Sequence, residues 1–195
     1  MQNFMNIFLF NTSWMAFNLY LAFLPIVFYW LFFTLKGKFL KCIFALLWLV
    51  YLPNTIYVFT DLHHLVEQWI EVNTLGKLFL AYQYAFLEII GLTCFLFAFY
   101  PLEKVIHYFK WKKDTRYTVL ILLNFCIGFA MVLGKIERVN SWDVFLNPQF
   151  VILSTISILS SIKMLGLVIL FGLFANCFYF LFRNRAKRLY AKLST

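Results

Sequence analysis

Long apolar stretches dominate the chain, and short polar or basic segments separate them. A helix that crosses a membrane needs about 20 apolar residues, because each residue adds about 1.5 Å. Five stretches approach or exceed that length, and we expect a spanning helix in each. These predicted spans are residues 14–35, 40–59, 78–100, 117–134 and 164–182. The pattern therefore predicts an all-α polytopic membrane helix bundle, with residues 1–195 forming a single integral membrane domain.

Two prolines and one short segment modify this pattern. Pro53 breaks the outer half of the second span, and Pro101 is expected to end the third. Residues 150–162 are apolar but too short for an ordinary crossing, so we expect an interfacial or re-entrant helix there. Counting back to Val144 would make a sixth crossing, which is the alternative. Short interfacial helices are therefore expected on the outer face of the bundle.

The composition supports a membrane protein. Hydrophobic residues make up 64% of the chain and charged residues 13%, against roughly 45–50% and 25% in soluble domains. A soluble protein of this size could not bury so much apolar surface, so the surplus must face lipid. The composition excludes the soluble, disordered and disulfide-scaffold classes.

The basic residues predict the orientation. Of the 17 Lys and Arg residues, 13 lie in segments 34–41, 101–116 and 183–195. Five alternating spans place these segments on one side, and basic loops favour the cytoplasm. We therefore predict a multi-pass protein of the plasma (inner) membrane, with the N-terminus outside and the C-terminus cytoplasmic. Anionic lipids of the cytoplasmic side are the expected partner of the basic segments, and nucleic acid is not expected.

One polar segment follows the break in the second span. It contains Asn54, Tyr57, Asp61 and His64. Asp61 and His64 are spaced i, i+3 and would share a helix face. They could bind a metal ion together with Asp143, or act as an acid/base pair. Alternatively, Thr60 or Asp61 caps an amphipathic interfacial helix, and His64 is merely a residue of its first turn.

A second polar segment follows the fourth span and contains Arg138, Asn140 and Asp143. Asn140 and Asp143 have the spacing of a helix cap with an acid at the third position. Arg138 could pair with Asp61 or Asp143, or bind a phosphate or carboxylate group in a bidentate manner. The segment therefore predicts either a structural cap or part of a ligand site.

Glu88 lies near the middle of the third span. An ionised side chain there costs about 2.5–3.5 kcal/mol on insertion scales, so acids at such positions are functional candidates. A hydrogen bond that serves only packing, to Tyr57, Gln83, Asn124 or Asn176, is the alternative.

The two polar segments also carry a resemblance to a known family. The matching residues are Leu52-Pro53-Asn54, Tyr57, Thr60-Asp61-Leu62 and His64-Leu65, followed by Gly134, Arg138 and Asn140-Ser141-Trp142-Asp143. This pattern resembles the domain of unknown function 1361 family of bacterial integral membrane proteins. The resemblance implies an uncharacterised inner-membrane protein and supplies no activity, substrate or cofactor. His63 and Glu137 depart from the family pattern, which disfavours a metal site built on them.

These observations predict a polar outer-face site that binds or processes an anionic or lipid-linked substrate. The alternatives are a small transporter or transporter subunit, and a structural or assembly subunit with a membrane-protein partner. No nucleophile motif is present, so the sequence assigns no enzyme class. The candidate catalytic residues are Asp61, His64 and Asp143, which would also be the ligands of any divalent metal cofactor. The candidate substrate-binding residues are Arg138, Asn140, Tyr57, Asn54 and Glu88.

Overall fold

The computed structural model describes residues 2–193, and within that range it is helical and contains no strand. The long helices are α1 (Gln2–Thr34), α2 (Lys38–Tyr51), α5 (Thr74–Tyr108), α6 (Lys113–Lys135) and α9 (Ile162–Leu193). The short ones are α3 (Asn54–Tyr57), a 3₁₀ segment (Val58–Asp61), α4 (Leu62–Trp69), α7 (Asp143–Leu146) and α8 (Pro148–Leu159). Five helical stretches of the described chain are long and apolar enough to cross a membrane, which confirms the all-α five-span prediction.

The second of these stretches is discontinuous at the predicted break. Helix α2 ends at Tyr51, and the chain continues through α3 and the 3₁₀ segment into α4. Proline has no backbone N–H and disrupts the regular ladder. The carbonyl of Leu52 accepts hydrogen bonds from the backbone N–H of Thr55 (3.2 Å) and from its hydroxyl (2.7 Å). The side chain of Thr55 thus helps to satisfy the backbone at the break.

The third span was expected to end at Pro101, but helix α5 continues past this residue to Tyr108. A proline inside a helix leaves the carbonyl four residues earlier without its usual donor. That carbonyl belongs to Phe97, and the hydroxyl of Tyr190 on α9 donates a hydrogen bond to it. Membrane helices tolerate proline where another group satisfies the freed carbonyl, which explains why the prediction was wrong.

The described chain divides into two compact units, the first ending at Phe95 and the second beginning at Leu96, so that α5 contributes to both. In the first unit, α1 packs against α2 and α3. Gly91 of α5 packs closely against the 3₁₀ segment, because a Cβ atom at Gly91 would lie 2.5 Å from Val58 Cγ2. A larger residue at position 91 would therefore push the broken segment away from α5.

In the second unit, α6 packs along α9 and the short α8 contacts both. The two long helices approach closely at a pair of glycines, since a Cβ atom on Gly128 would lie 2.8 Å from Gly172 Cα. Small residues at such crossings are typical of membrane helices. Helix α8 has 12 residues, about 18 Å in length, which falls short of a hydrocarbon core of about 30 Å. Its interfacial or re-entrant placement stays a prediction.

Candidate functional site

A polar network links α1, α4 and α5 within the first unit. The side chains of Asn11 and Gln68 exchange two hydrogen bonds, of 2.7 and 3.0 Å. Trp14 Nε1 donates to Asn11 Oδ1 (3.1 Å), and the Tyr84 hydroxyl donates to Gln68 Oε1 (3.2 Å). Asn11 is completely buried. A buried amide is stable only when it is hydrogen-bonded, so this network fixes α4 against two spanning helices.

Asp61 is 4% exposed and lies at the end of the 3₁₀ segment. Asn18 of α1 donates a hydrogen bond of 2.8 Å to Asp61 Oδ2. Helix α4 follows directly with Asp61 at its N-cap position, but the Asp61 side chain makes no capping hydrogen bond, and the Thr60 hydroxyl donates instead to the carbonyl of Tyr57 (2.8 Å). The helix-cap interpretation is therefore right about the position of Asp61 but not about its side chain, which makes no capping hydrogen bond. Asp61 is a buried carboxylate that binds another helix.

Glu88 lies on α5, and both of its carboxylate oxygens are buried without a hydrogen-bond partner among the described residues. Asp61 belongs to the 3₁₀ segment that packs against α5 at Gly91, three residues from Glu88. Three side chains that the sequence suggested as partners are engaged elsewhere. Gln83 donates to Thr12 Oγ1 (3.0 Å), and Asn124 donates to Asn176 Oδ1 (3.1 Å) within the second unit. The carboxyl group of Glu88 is thus buried and, among the residues that the structure describes, lacks the packing hydrogen bond expected for a purely structural role.

The first polar segment packs beside this acid. Asn54 and Tyr57, both half-buried, lie on α3. The next residue, Val58, contacts Gly91, which is three residues after Glu88 on the same helix. Residues three apart lie on the same side of a helix. The broken segment of the second span and the helix carrying Glu88 therefore meet within about one helical turn of that acid.

The structure does not pair His64 with Asp61. His64 Nδ1 instead contacts Glu67 Oε2 at 3.2 Å, on a more exposed face of α4. The neighbouring His63 has its Nδ1 at 3.0 Å from the carbonyl of Thr60. A carbonyl only accepts hydrogen bonds, so His63 Nδ1 is the donor in this contact.

Three of these side chains form a group that could hold a metal ion. Ligand atoms of His63, His64 and Glu67 lie within 4.8 Å of one another. Two imidazoles and a carboxylate suit a divalent transition metal such as zinc. This set differs from the predicted set of Asp61, His64 and Asp143, which stays a prediction because Asp143 belongs to the other unit.

The second polar segment forms a tight turn in the second unit. Asp143 Oδ2 accepts hydrogen bonds from the backbone N–H (2.7 Å) and side-chain amide (3.3 Å) of Asn140. This is the acid half of the cap arrangement expected from the spacing. Arg138 has a positive φ of 58°, is exposed, and makes no hydrogen bond or ion pair with another described residue. The turn therefore presents the guanidinium group of Arg138 to its surroundings.

Sequence reasoning missed Asn11, Asn18 and Gln68 as members of the polar site. A signal for two of them was present in α1. Asn11 and Asn18 are seven residues apart, and the buried residues Met15 and Ala22 continue the same stripe. Amides on the buried stripe of an otherwise apolar helix indicate interhelical hydrogen bonds.

Comparison with known proteins gives one finding. A family model described as a protein of unknown function, DUF1361, matches residues 17–178. No curated protein and no solved structure matches the chain. The matched range contains both polar segments and Glu88. It includes three of the five predicted spans completely and most of the first and the last.

Proposed function

This chain belongs to the DUF1361 family of proteins of unknown function, and we propose that it is a small transporter or transporter subunit of the plasma membrane. Its first unit binds a proton or a small cation at Glu88, beside Asp61. The observation that carries this proposal is the Glu88 carboxyl group, whose two oxygens are buried and lack a hydrogen-bond partner among the described residues.

The chemistry of the two acids favours a positively charged ligand. A buried carboxylate without a partner costs several kcal/mol, and a second negative charge nearby adds to that cost. A bound proton or cation at Glu88 removes both costs at once. Asp61 already has the Asn18 amide as a donor, so Glu88 gains more from a new ligand.

The helix break supports the same function. Transporters commonly bind ions where a membrane helix is interrupted, because the interruption exposes backbone groups inside the protein. Here the interrupted segment packs against α5 at Gly91, close to Glu88. Such a segment also provides a place where local rearrangement could open the site to one side.

Ion flux through reconstituted protein tests the proposal. The purified full-length chain is placed in proteoliposomes, and ion flux is measured under an imposed gradient. A pH-sensitive dye inside the vesicles reports the flux of protons, and a dye selective for sodium or potassium reports the flux of that ion. We expect flux above that of protein-free vesicles, lost in Glu88→Gln and kept in Glu71→Gln, which makes the same change at an exposed acid. Equal flux in the wild type and Glu88→Gln would contradict the proposal.

A second candidate function, an outer-face site for an anionic or lipid-linked substrate, is favoured by Arg138. Its guanidinium is exposed and has no partner among the described residues. Arginine binds phosphate through two parallel hydrogen bonds. Binding of phosphatidylglycerol, measured by native mass spectrometry, should weaken in Arg138→Gln and persist in Lys163→Gln. Equal binding by both variants would count against this candidate.

The orientation remains part of the proposal. With the N-terminus outside, the second polar segment faces outward and the three basic segments face anionic cytoplasmic lipids. A membrane-protein partner also stays a prediction of the sequence.

A further inference from the structure

A cavity of about 470 Å³ lies in the second unit, between the end of α5, the start of α6 and the end of α9. Five cationic side chains line it, and Glu103 is the one carboxylate among its described lining residues. The cations are Lys104, Lys113, Arg116, Arg183 and Lys187. Positive charge therefore far exceeds negative charge inside one concave site.

The single carboxylate is already neutralised by one of these cations. Arg183 Nε donates to Glu103 Oε2 at 2.7 Å, its Nη2 donates to Oε1, and the Tyr179 hydroxyl donates to Oε2 at 2.6 Å. Arg183 also donates to the Tyr117 hydroxyl at 3.0 Å. This two-pronged pair satisfies Glu103, so the charge of the other four cations is left to act on a ligand.

Several cations are held in place rather than extending freely into solvent. Lys104 Nζ lies 5.4 and 5.0 Å from the ring centres of Tyr100 and Tyr190. Arg116 Nη1 contacts Nδ1 of His107, which also lines the cavity. Contacts of this kind lower the entropy that a lysine or arginine loses when it binds an anion. The cavity is thus an organised basic site, unlike a scatter of surface lysines.

The cavity lies where three predicted spans leave the apolar part of the membrane. The third predicted span ends at residue 100, the fourth begins at 117 and the last ends at 182, and residues next to all three points line the cavity. That level is occupied by lipid headgroups, and basic pockets between membrane helices bind anionic headgroups.

We propose that this cavity binds a phosphate group, carried by an anionic phospholipid of the adjoining leaflet or by a soluble phosphate ester. Lys113 and Arg116 from the first turn of α6 contact the phosphate together with Lys187 of α9. The site is separate from the proposed function, because it uses none of the residues of the first unit. Its failure would leave the role of Glu88 unaffected, and the reverse also holds.

Ligand binding to delipidated full-length protein in a neutral detergent tests the proposal. The probes are a short-chain phosphatidylglycerol, a phosphatidylcholine of equal chain length, and inorganic phosphate, measured by microscale thermophoresis. We expect phosphatidylglycerol to bind more tightly than phosphatidylcholine, and Arg116→Gln to weaken its binding by about tenfold, which corresponds to about 1.4 kcal/mol. Lys163→Gln removes one charge at the other end of α9 and should leave the affinity unchanged.

The arms of the experiment separate the two sources of phosphate. Competition by inorganic phosphate at low concentration would assign the site to a soluble phosphate ester, whereas binding that persists in excess phosphate would assign it to the lipid. Lys113→Gln provides a second variant if Arg116→Gln folds poorly. The proposal is overturned if neither phosphatidylglycerol nor inorganic phosphate binds. It is also overturned if Lys163→Gln weakens binding as much as the cavity variants do.

Discussion

The hydrogen bond from Asn18 to Asp61 ties α1 to the end of the 3₁₀ segment, and its loss should destabilise the first unit. A hydrogen bond to a charged group contributes about 1.5–3 kcal/mol. Bonds between neutral side chains of membrane helices average only about 0.6 kcal/mol. Because Asp61 is 4% exposed, water cannot replace the lost donor. We therefore expect a coupling energy of about 1.5–3 kcal/mol between the two side chains.

A double-mutant cycle measures this coupling energy. The free energy of unfolding of the full chain is determined in mixed micelles by far-ultraviolet circular dichroism for the wild type, Asn18→Ala, Asp61→Ala and the double variant. A control cycle pairs Asn18→Ala with Glu71→Ala, whose side chain is exposed, and should give a coupling energy near zero. A coupling energy near zero between Asn18 and Asp61 as well would refute their interaction. A coupling energy near 0.6 kcal/mol, the average for neutral pairs, would contradict the expectation that Asp61 carries a negative charge.

Three further predictions follow from other parts of the structure. Gly128→Ala should lower the free energy of unfolding by about 1–3 kcal/mol, because it overpacks the crossing of α6 and α9. Gly166→Ala should leave the free energy of unfolding unchanged, because a Cβ atom there meets nothing within 4 Å. Equal effects of the two variants would disprove the close crossing. Zinc bound by the purified protein should be lost in His63→Ala and Glu67→Gln and kept in Asp61→Asn, as measured by elemental analysis; loss in Asp61→Asn would instead support the metal set predicted from the sequence. A green fluorescent protein fused to the C-terminus should fluoresce and an alkaline phosphatase fused there should be inactive, since the basic tail is predicted to be cytoplasmic; the opposite result would reverse the orientation.

The fold class could be predicted from the sequence because it depends on the length of apolar runs. A run of about 20 apolar residues has one low-energy solution in a bilayer, a helix that satisfies its own backbone. The break at Pro53 follows from the chemistry of proline in the same way. Pro101 shows the limit of this reasoning, because its helix continues where Tyr190, far along the chain, satisfies the carbonyl of Phe97.

The candidate site was less predictable, since its partners are distant in sequence. The spacing of Asp61 and His64 suggested that they act together, but the fold directs Asp61 to Asn18 and His64 to Glu67. Local spacing describes one helix face and contains no information about which neighbouring helix packs on it. Glu88, in contrast, could be found directly, because an acid in an apolar span is costly wherever its neighbours lie.

Chemical labelling tests whether Glu88 is an accessible acid that binds a proton or a cation. A hydrophobic carbodiimide reacts with protonated carboxyl groups in apolar surroundings, and mass spectrometry identifies the modified residue. We predict that Glu88 is labelled, that added protons promote and a bound cation slows the labelling, and that Glu103, which is paired with Arg183, is spared. An unlabelled Glu88, or equal labelling of Glu88 and Glu103, would contradict a proton- or cation-binding site in the first unit.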